Sequence, residues 1–478
     1  MNIGSLRYRL RLSSLWLFGF MAFFLPFSTA FTLLFSLLAI ITGLLGLKWK
    51  DVTRPFSSTL TVLCVCLFIL LVISAFWSIA PSTELIEGVS KYRKLIYVPF
   101  VAALLLSVKV RPTFFVNFFV AGCLLVSVGS LLSSSGALFY ILGPELPTGG
   151  WGLGGSAEKH WFFIGTPSMP TFGRAYIAQG AFLVIAAVFM LGKIFDLISS
   201  RKPRDSLKSL VFCIGLAIFF LASTFNLGGR TGYFLAVLGL AMWALFLWLG
   251  NRKKLASTLA LVLCISIVTA FKFVPVMSER INAAINSIIK YHDSGVREDQ
   301  AVRVTFWQSG IRRGLERFPM GWGVGSFPEV YYRDVNEPLE LRIGRPHPHS
   351  EYILQFVQAG IMGLALMCTI LCLVFFRLVR NAGGGLNTDG GRTSPQFYEI
   401  SSISLALTLL LIDGFFNSII WDLAEGHMFS ILTATFVAIC LRPTRGSTCT
   451  AAKFDVHRTL FHRAWSHCRV RKRGVGPT

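Results

Sequence analysis

The chain has 478 residues, of which 54% are hydrophobic and only 14% are charged. Soluble domains carry about a quarter of their residues as charges, so this composition excludes a typical water-soluble protein and indicates a surface that largely faces lipid. The net charge of +22 would favour nucleic-acid binding in a soluble protein, but here the basic residues lie mainly in short segments between apolar runs, which is the pattern of membrane topology.

Apolar runs recur along the whole chain, and many of them approach the roughly 20 residues that cross a bilayer. The predicted spans are 12–28, 29–47, 58–77, 94–108, 113–133, 173–195, 209–226, 230–249, 255–275, 353–377, 400–420 and 427–441. The sequence therefore predicts an all-α polytopic membrane protein with about twelve transmembrane helices.

Clusters of Lys and Arg alternate with these runs. Arg7, Arg9 and Arg11 precede the first span, and further clusters follow the second, fourth, sixth, eighth and tenth spans. Twelve spans put both termini and all of these clusters on one side, which the positive-inside rule identifies as the cytoplasm. The basic tail at 442–478 is then cytoplasmic as well.

Two long polar segments fall on the opposite, outer side. The first, at about 134–172 within the unit 1–275, is rich in Gly, Pro and Trp; the second, at 276–352 between helices 9 and 10, carries as many acidic as basic residues. The stripe Ile281, Ile285, Ile288 and Ile289 predicts an amphipathic helix in the second loop, and another helix is expected from about 302 to 318. Residues 276–352 are thus predicted to be a partly helical outer domain, followed by the last three spans at 353–441.

His349 is the first candidate for chemistry, because it directly precedes the tenth span on the outer side. Ser350 is a suitable N-cap for that helix, and a helix N-terminus favours neutral imidazole. Neutral imidazole is the form that a general base needs. The alternative is a histidine that only packs the loop against the membrane surface.

Two arginines are candidates for binding an anion. Arg230 lies in a Gly-rich stretch at the outer edge of the eighth span, where a charge is costly without a partner and where guanidinium suits phosphate. Arg303 lies near the start of the second loop helix, which also suits an anion. The alternatives are a snorkelling side chain for Arg230 and a surface ion pair for Arg303. Arg174 and His347 are secondary candidates.

This arrangement resembles the bacterial O-antigen ligase family, within the wider group that includes O-antigen polymerases. The sharpest motif is His-[Asn/Ser/Gln]-x9-Gly-x-x-Gly, which stands here as His349-Ser350, nine residues, and Gly360-Ile-Met-Gly363. Arg230 and Arg303 match the family's two arginines, whereas Leu364-Ala365 replaces the Thr-Thr that can follow the motif.

The resemblance implies a GT-C-like membrane enzyme of the bacterial inner membrane with a periplasmic active site. It implies metal-independent, inverting transfer of a polysaccharide from undecaprenyl diphosphate to a sugar hydroxyl of lipid A core, without a cofactor. His349 would be the general base, and Arg230 and Arg303 would bind the diphosphate.

Other functions remain open on the sequence. An O-antigen or exopolysaccharide polymerase and a protein O-glycosyltransferase would share the donor and the topology. A transporter or flippase would instead use polar residues near the eleventh span, namely Asp413, Asn417 and Asp422, but the candidates above cluster on the outer side rather than at the bilayer midplane.

Overall fold

The computed structural model describes residues 3–108, 110–111, 113–135, 164–166, 169–173, 176–199, 205–273, 275–294, 300–335, 346–384 and 397–442. Within these ranges the chain is almost entirely helical, and Met1–Leu441 form one compact unit. The basic tail from residue 443 onward lies outside the described residues, so its predicted location is untested.

The helices and the single described hairpin follow one another along the chain. They are α1 (Ile3–Phe24), α2 (Thr29–Gly46), α3 (Trp49–Thr53), α4 (Thr59–Ser74), α5 (Ser82–Tyr92), α6 (Lys94–Ser107), α7 (Phe114–Ser134), β1 (Ile164–Thr166), β2 (Met169–Phe172), α8 (Tyr176–Ser199), α9 (Asp205–Asn226), α10 (Arg230–Leu249), α11 (Lys253–Phe273), α12 (Pro275–Ser294), α13 (Gln300–Glu316), α14 (Phe327–Val335), α15 (Glu351–Gly384), α16 (Phe397–Asp413) and α17 (Leu423–Leu441). The two strands pair antiparallel.

Each of the twelve predicted spans overlaps a helix, although α16 ends at Asp413, before the predicted end of its span at 420. Eight helices among the described residues are long and apolar enough to cross a membrane, which makes the chain an all-α polytopic membrane protein. The other four predicted spans correspond to α1, which carries three arginines, to the shorter helices α6 and α16, and to α11. The count of twelve therefore stays a prediction.

The helices divide into a central group and a lipid-facing group. α16 and α17 are buried along most of their length, whereas α11 exposes apolar side chains such as Leu261, Ile265 and Val268. An apolar side chain that is exposed in the middle of a spanning helix meets acyl chains, which are as apolar as a protein core. The two predicted loop helices are present as α12 and α13.

α15 is broken at Gly360, and the Gly-rich run at 321–327 fills the break. Gly360 has φ 63° and ψ −154°, a conformation that is essentially restricted to glycine. The break deprives the carbonyls of Val357 and Gln358 of their helical donors. The backbone N–H groups of Trp322 and Gly323 donate to them instead, at 2.7 and 2.9 Å.

The same run is held from its other side by the end of α4. Val324 donates its N–H to the hydroxyl of Ser74, the last residue of α4, at 3.0 Å, and the Ser78 hydroxyl donates to the Val324 carbonyl at 2.7 Å. On the α15 side, the N–H of Ile361 donates to the carbonyl of Pro319, just before the run, at 3.1 Å. Backbone hydrogen bonds therefore fix the Gly-rich run between α4 and α15.

Candidate functional site

The candidate base lies on a short segment that ends at the first residue of α15. Ser350 caps the helix by accepting the N–H of Ile353 at 3.4 Å. His349, one residue earlier, has φ 47°, a left-handed conformation that is uncommon for residues other than glycine and is found at functional sites. The backbone thus reverses at His349, directly before the helix.

Three hydrogen bonds hold this segment in place. The Trp307 indole N–H on α13 donates to the Pro348 carbonyl at 2.7 Å. The N–H of His349 donates to Nδ1 of His347 at 3.2 Å, and the Ser418 hydroxyl lies 3.1 Å from the same nitrogen. Because Nδ1 accepts a backbone N–H, the neutral His347 ring carries its proton on Nε2.

Glu351 ties the start of α15 to the turn between α16 and α17. Its side chain is fully buried and accepts four hydrogen bonds. Two come from the backbone N–H groups of Ile420 and Trp421 at 2.9 and 3.2 Å, and two from the Tyr92 hydroxyl and the Gln355 amide at 3.2 and 2.8 Å. Its own N–H donates to the Gly414 carbonyl at 2.7 Å.

Lys94, at the start of α6, holds the same turn from another direction. Its ammonium is almost fully buried and donates to the carbonyls of Trp421 and Asp422 at 3.2 and 2.5 Å. Two buried charges of opposite sign therefore fix one turn, and buried charges are retained only when they are well bonded.

Arg303, near the start of α13, lies close enough to His349 to act on it electrostatically. Its guanidinium donates to the Phe416 carbonyl at 3.3 Å. Burial, reinforced by the Arg303 cation, lowers the pKa of His349 to about 4. The buried Asp413 carboxylate, which accepts the Asn417 amide at 2.7 Å, also interacts with Arg303. His349 is therefore a neutral imidazole beside a cation.

Arg230 is the first residue of α10 and lies at the same end of the helices. Phe234, one turn further along α10, packs edge-on against Phe416 with the ring centroids 5.3 Å apart. Residues four apart share a helix face, and Phe416 is the residue whose carbonyl Arg303 contacts. The structure thus places Arg230 at the start of a helix whose next turn packs against Phe416, the residue that Arg303 contacts.

The secondary candidates have different outcomes. Arg174 lies outside the described residues. His347 packs against both His349 and Trp421, with ring centroids 5.5 Å apart in each case, so it positions its neighbours as well as lining the site.

The candidate base and the two candidate arginines lie in one contiguous part of the sequence. Residues 215–368 match the O-antigen ligase family. The matched segment begins within α9, ends within α15, and includes Arg230, Arg303, His349 and both motif glycines. The match confirms the resemblance and supports the O-antigen ligase/polymerase superfamily. The comparison with curated proteins gives no match.

The geometry supplies one neutral base, His349, close to the Arg303 cation. In the described part of the chain, no group of three or more His, Cys, Asp or Glu side chains is arranged to hold a metal ion. Asp413 and Asn417, which a transporter would use, close the turn onto α15 through hydrogen bonds at a helix end. What the arrangement offers chemically is a neutral imidazole beside a guanidinium cation.

Sequence reasoning overlooked the two buried charges that support the site. Lys94 opens a short apolar run, and a lysine at membrane depth is a recognisable signal. Glu351 is one of the acidic residues of the second outer loop in the sequence, and an acidic residue in the first turn of a spanning helix is equally unusual. Their shared partner, the turn at 420–422, is distant from Lys94 in sequence and could not be inferred.

Proposed function

We propose that this protein is an O-antigen ligase of the bacterial inner membrane. It transfers a polysaccharide from undecaprenyl diphosphate to a sugar hydroxyl of lipid A core at the periplasmic face. The observation that carries the proposal is the neutral His349 beside Arg303, with Arg230 at the same end, all within the segment that matches the family.

The reaction is a single displacement, so it inverts the anomeric centre. His349 takes the proton of the acceptor hydroxyl while that oxygen attacks the anomeric carbon. The bond from this carbon to the diphosphate oxygen breaks, and undecaprenyl diphosphate leaves with the electron pair. Arg303 and Arg230 stabilise the negative charge of the leaving group, a task that oriented guanidinium groups can perform.

The diphosphate also adjusts the base. In the free enzyme the Arg303 cation opposes protonation of His349. A bound diphosphate offsets that cation, so the imidazole becomes more basic once the donor is present. The base is therefore activated by the substrate that it must act upon.

Because the two arginines take over charge neutralisation, the proposed reaction needs no divalent cation. Purified enzyme should keep its full rate after treatment with an excess of EDTA. A rate that falls to background and returns only on adding Mg²⁺ or Mn²⁺ would rule out the metal-independent mechanism.

The function is tested by the glycan profile of a deletion strain. Complementation with wild type should restore long-chain lipopolysaccharide, whereas His349→Ala and Arg230→Ala should leave long chains on undecaprenyl diphosphate and the lipid A core bare. Immunoblots of the three proteins control for expression.

Other profiles point to the sister activities. Accumulation of single-repeat glycans in the deletion strain would identify a polymerase, and loss of glycan from a periplasmic protein would identify a protein O-glycosyltransferase. Either outcome would contradict the ligase proposal while leaving the superfamily intact.

A further inference from the structure

A small cavity lies next to His347, whose ring packs against the candidate base His349. Its volume is about 50 Å³, and its polar lining comes from Lys91 on α5, His347 and Gln358 on α15. Trp421, Phe327 and Leu354 supply part of the apolar lining. About 10–15 Å³ of such space holds one water-sized group, so the cavity accommodates a few hydroxyl groups but not a whole sugar ring.

Gln358 is the residue that marks this cavity as a binding site. Its side chain is fully buried, and neither amide atom has a hydrogen-bond partner among the described residues. Leaving a buried amide unsatisfied is costly. The backbone of Gln358 is fixed, because its carbonyl accepts the N–H of Gly323 at the break in α15. A backbone movement therefore cannot carry the side-chain amide out of the cavity.

The other polar groups in the lining are hydrogen-bond donors. His347 accepts at Nδ1, which places its proton on Nε2. The Lys91 ammonium lies 4.2 Å from the centre of the Trp421 ring and pairs with Glu87 at 2.8 Å. Donors from His347 and Lys91, together with an amide that can both donate and accept, match the hydroxyl and ring oxygens of a sugar.

We propose that this cavity is a subsite for the acceptor sugar and that Gln358 determines its fit. The inference rests on the proposed function. His349 lies close to Arg303 and packs against the His347 ring, which borders the cavity. In a single displacement the nucleophile and the leaving group lie on opposite sides of the reacting carbon. If the leaving group binds at Arg303, the cavity is available to the acceptor sugar. One edge of that sugar would enter the cavity, and its reacting hydroxyl would lie against His349.

Steady-state kinetics of the purified full-length enzyme test this, with lipid A core as acceptor and undecaprenyl-diphosphate-linked polysaccharide as donor. Gln358→Leu should raise the acceptor KM about tenfold, through loss of hydrogen bonds, and leave the donor KM within about twofold. It should not lower the melting temperature, because it removes an amide that is unsatisfied in the empty enzyme.

Gln179→Leu is the matched control. Gln179 is equally buried, but its amide oxygen accepts the N–H of Phe172 at 3.2 Å and its nitrogen donates to Ser130 at 2.5 Å. This variant should lose thermal stability while its acceptor KM stays at the wild-type value. If Gln358→Leu does not fold, Lys91→Met at the more exposed part of the lining serves as the second variant, with the same expected rise in acceptor KM.

Two results would overturn the inference. An unchanged acceptor KM for both Gln358→Leu and Lys91→Met would mean that the cavity holds only water. A parallel rise of the donor KM and the acceptor KM, together with a lower melting temperature, would mean that Gln358 has only a structural role. The proposed function fails separately, when wild type itself transfers nothing to lipid A core, and the subsite then fails with it.

Discussion

His349 combines three physical properties that belong together in a general base. Its left-handed backbone, at φ 47°, turns the side chain out of the line of α15, at a cost on the order of 1 kcal/mol or more. Hydrogen bonds from Trp307 and to His347 hold that conformation. Burial, with the Arg303 cation second, keeps the ring neutral.

The pH dependence of kcat/KM reports the base in the free enzyme. Protonation inactivates His349, and its pKa is lowered to about 4, so kcat/KM should be constant above about pH 5 and fall as the pH drops through 4. An unperturbed histidine would lose half of the activity near pH 6.5. A wild-type inflection near 6.5 would contradict this.

Arg303→Gln should move the inflection upward, with each profile normalised to its own plateau, because the repelling cation is gone. The inflection should stay below 6.5, since burial is the larger cause. Arg312→Gln is the control: Arg312 lies on the same helix, but its exposed side chain pairs with Asp334 and Arg303 is the charge that acts on His349, so this variant should leave the inflection unchanged.

At the scale of elements, the site depends on the broken helix α15. In an unbroken helix, the carbonyls of Val357 and Gln358 would accept N–H groups of the helix itself and could not bind the Gly-rich run. The break frees those carbonyls for Trp322 and Gly323, and so fixes the run between α4 and α15. The two glycines of the family motif thus have a structural meaning here: Gly360 makes the break, and the helix resumes through Gly363.

Gly360→Ala should unfold the protein at a markedly lower temperature and reduce transfer. A Cβ at this position would lie 1.9 Å from the Pro319 carbonyl oxygen, and the backbone conformation costs a non-glycine residue about 3 kcal/mol. Gly215→Ala on α9 is the control: a Cβ there meets no atom within 4 Å, so alanine should be neutral or stabilising by up to about 1 kcal/mol. Equal melting temperatures for the two variants would refute this account of the break.

The sequence predicts elements better than it predicts contacts between them. The length of the apolar runs located the helices of the predicted spans, and the period of the isoleucines predicted α12. Most of that stripe is not buried, however, since Ile281 packs against Tyr233 but Ile285, Ile288 and Ile289 are about half exposed. Arg303 and His349 could be paired only through the family motif, because no local rule links residues on separate helices. The break at Gly360 was also unforeseen, since two glycines within an apolar run are compatible with a continuous helix.

On the scale of the whole molecule, the ends of the helices carry different chemistry. The end near His349 carries the candidate base and both arginines. The opposite end is closed where α8 meets α16: Lys193 pairs with Glu399, and the Asp196 carboxylate accepts the N–H groups of Tyr398 and Glu399 at 3.1 and 2.9 Å. A reaction on a lipid-linked polysaccharide needs the first end to face the periplasm, where the finished glycan is delivered. The proposed function therefore depends on the orientation that the basic clusters predict.

Paired reporter fusions measure that orientation. Alkaline phosphatase needs disulfides, which form only outside the cytoplasm, so a fusion after Ser135 should be active and one after Asn251 inactive. Green fluorescent protein at the same two positions should give the reverse pattern, which controls for expression, and it should fluoresce after Thr478. The positive-inside rule requires this result, because Arg252, Lys253 and Lys254 follow directly on Asn251. An active phosphatase after Asn251 would place His349 in the cytoplasm, where no periplasmic acceptor could reach it, and the ligase proposal would fall whatever the behaviour of the site variants.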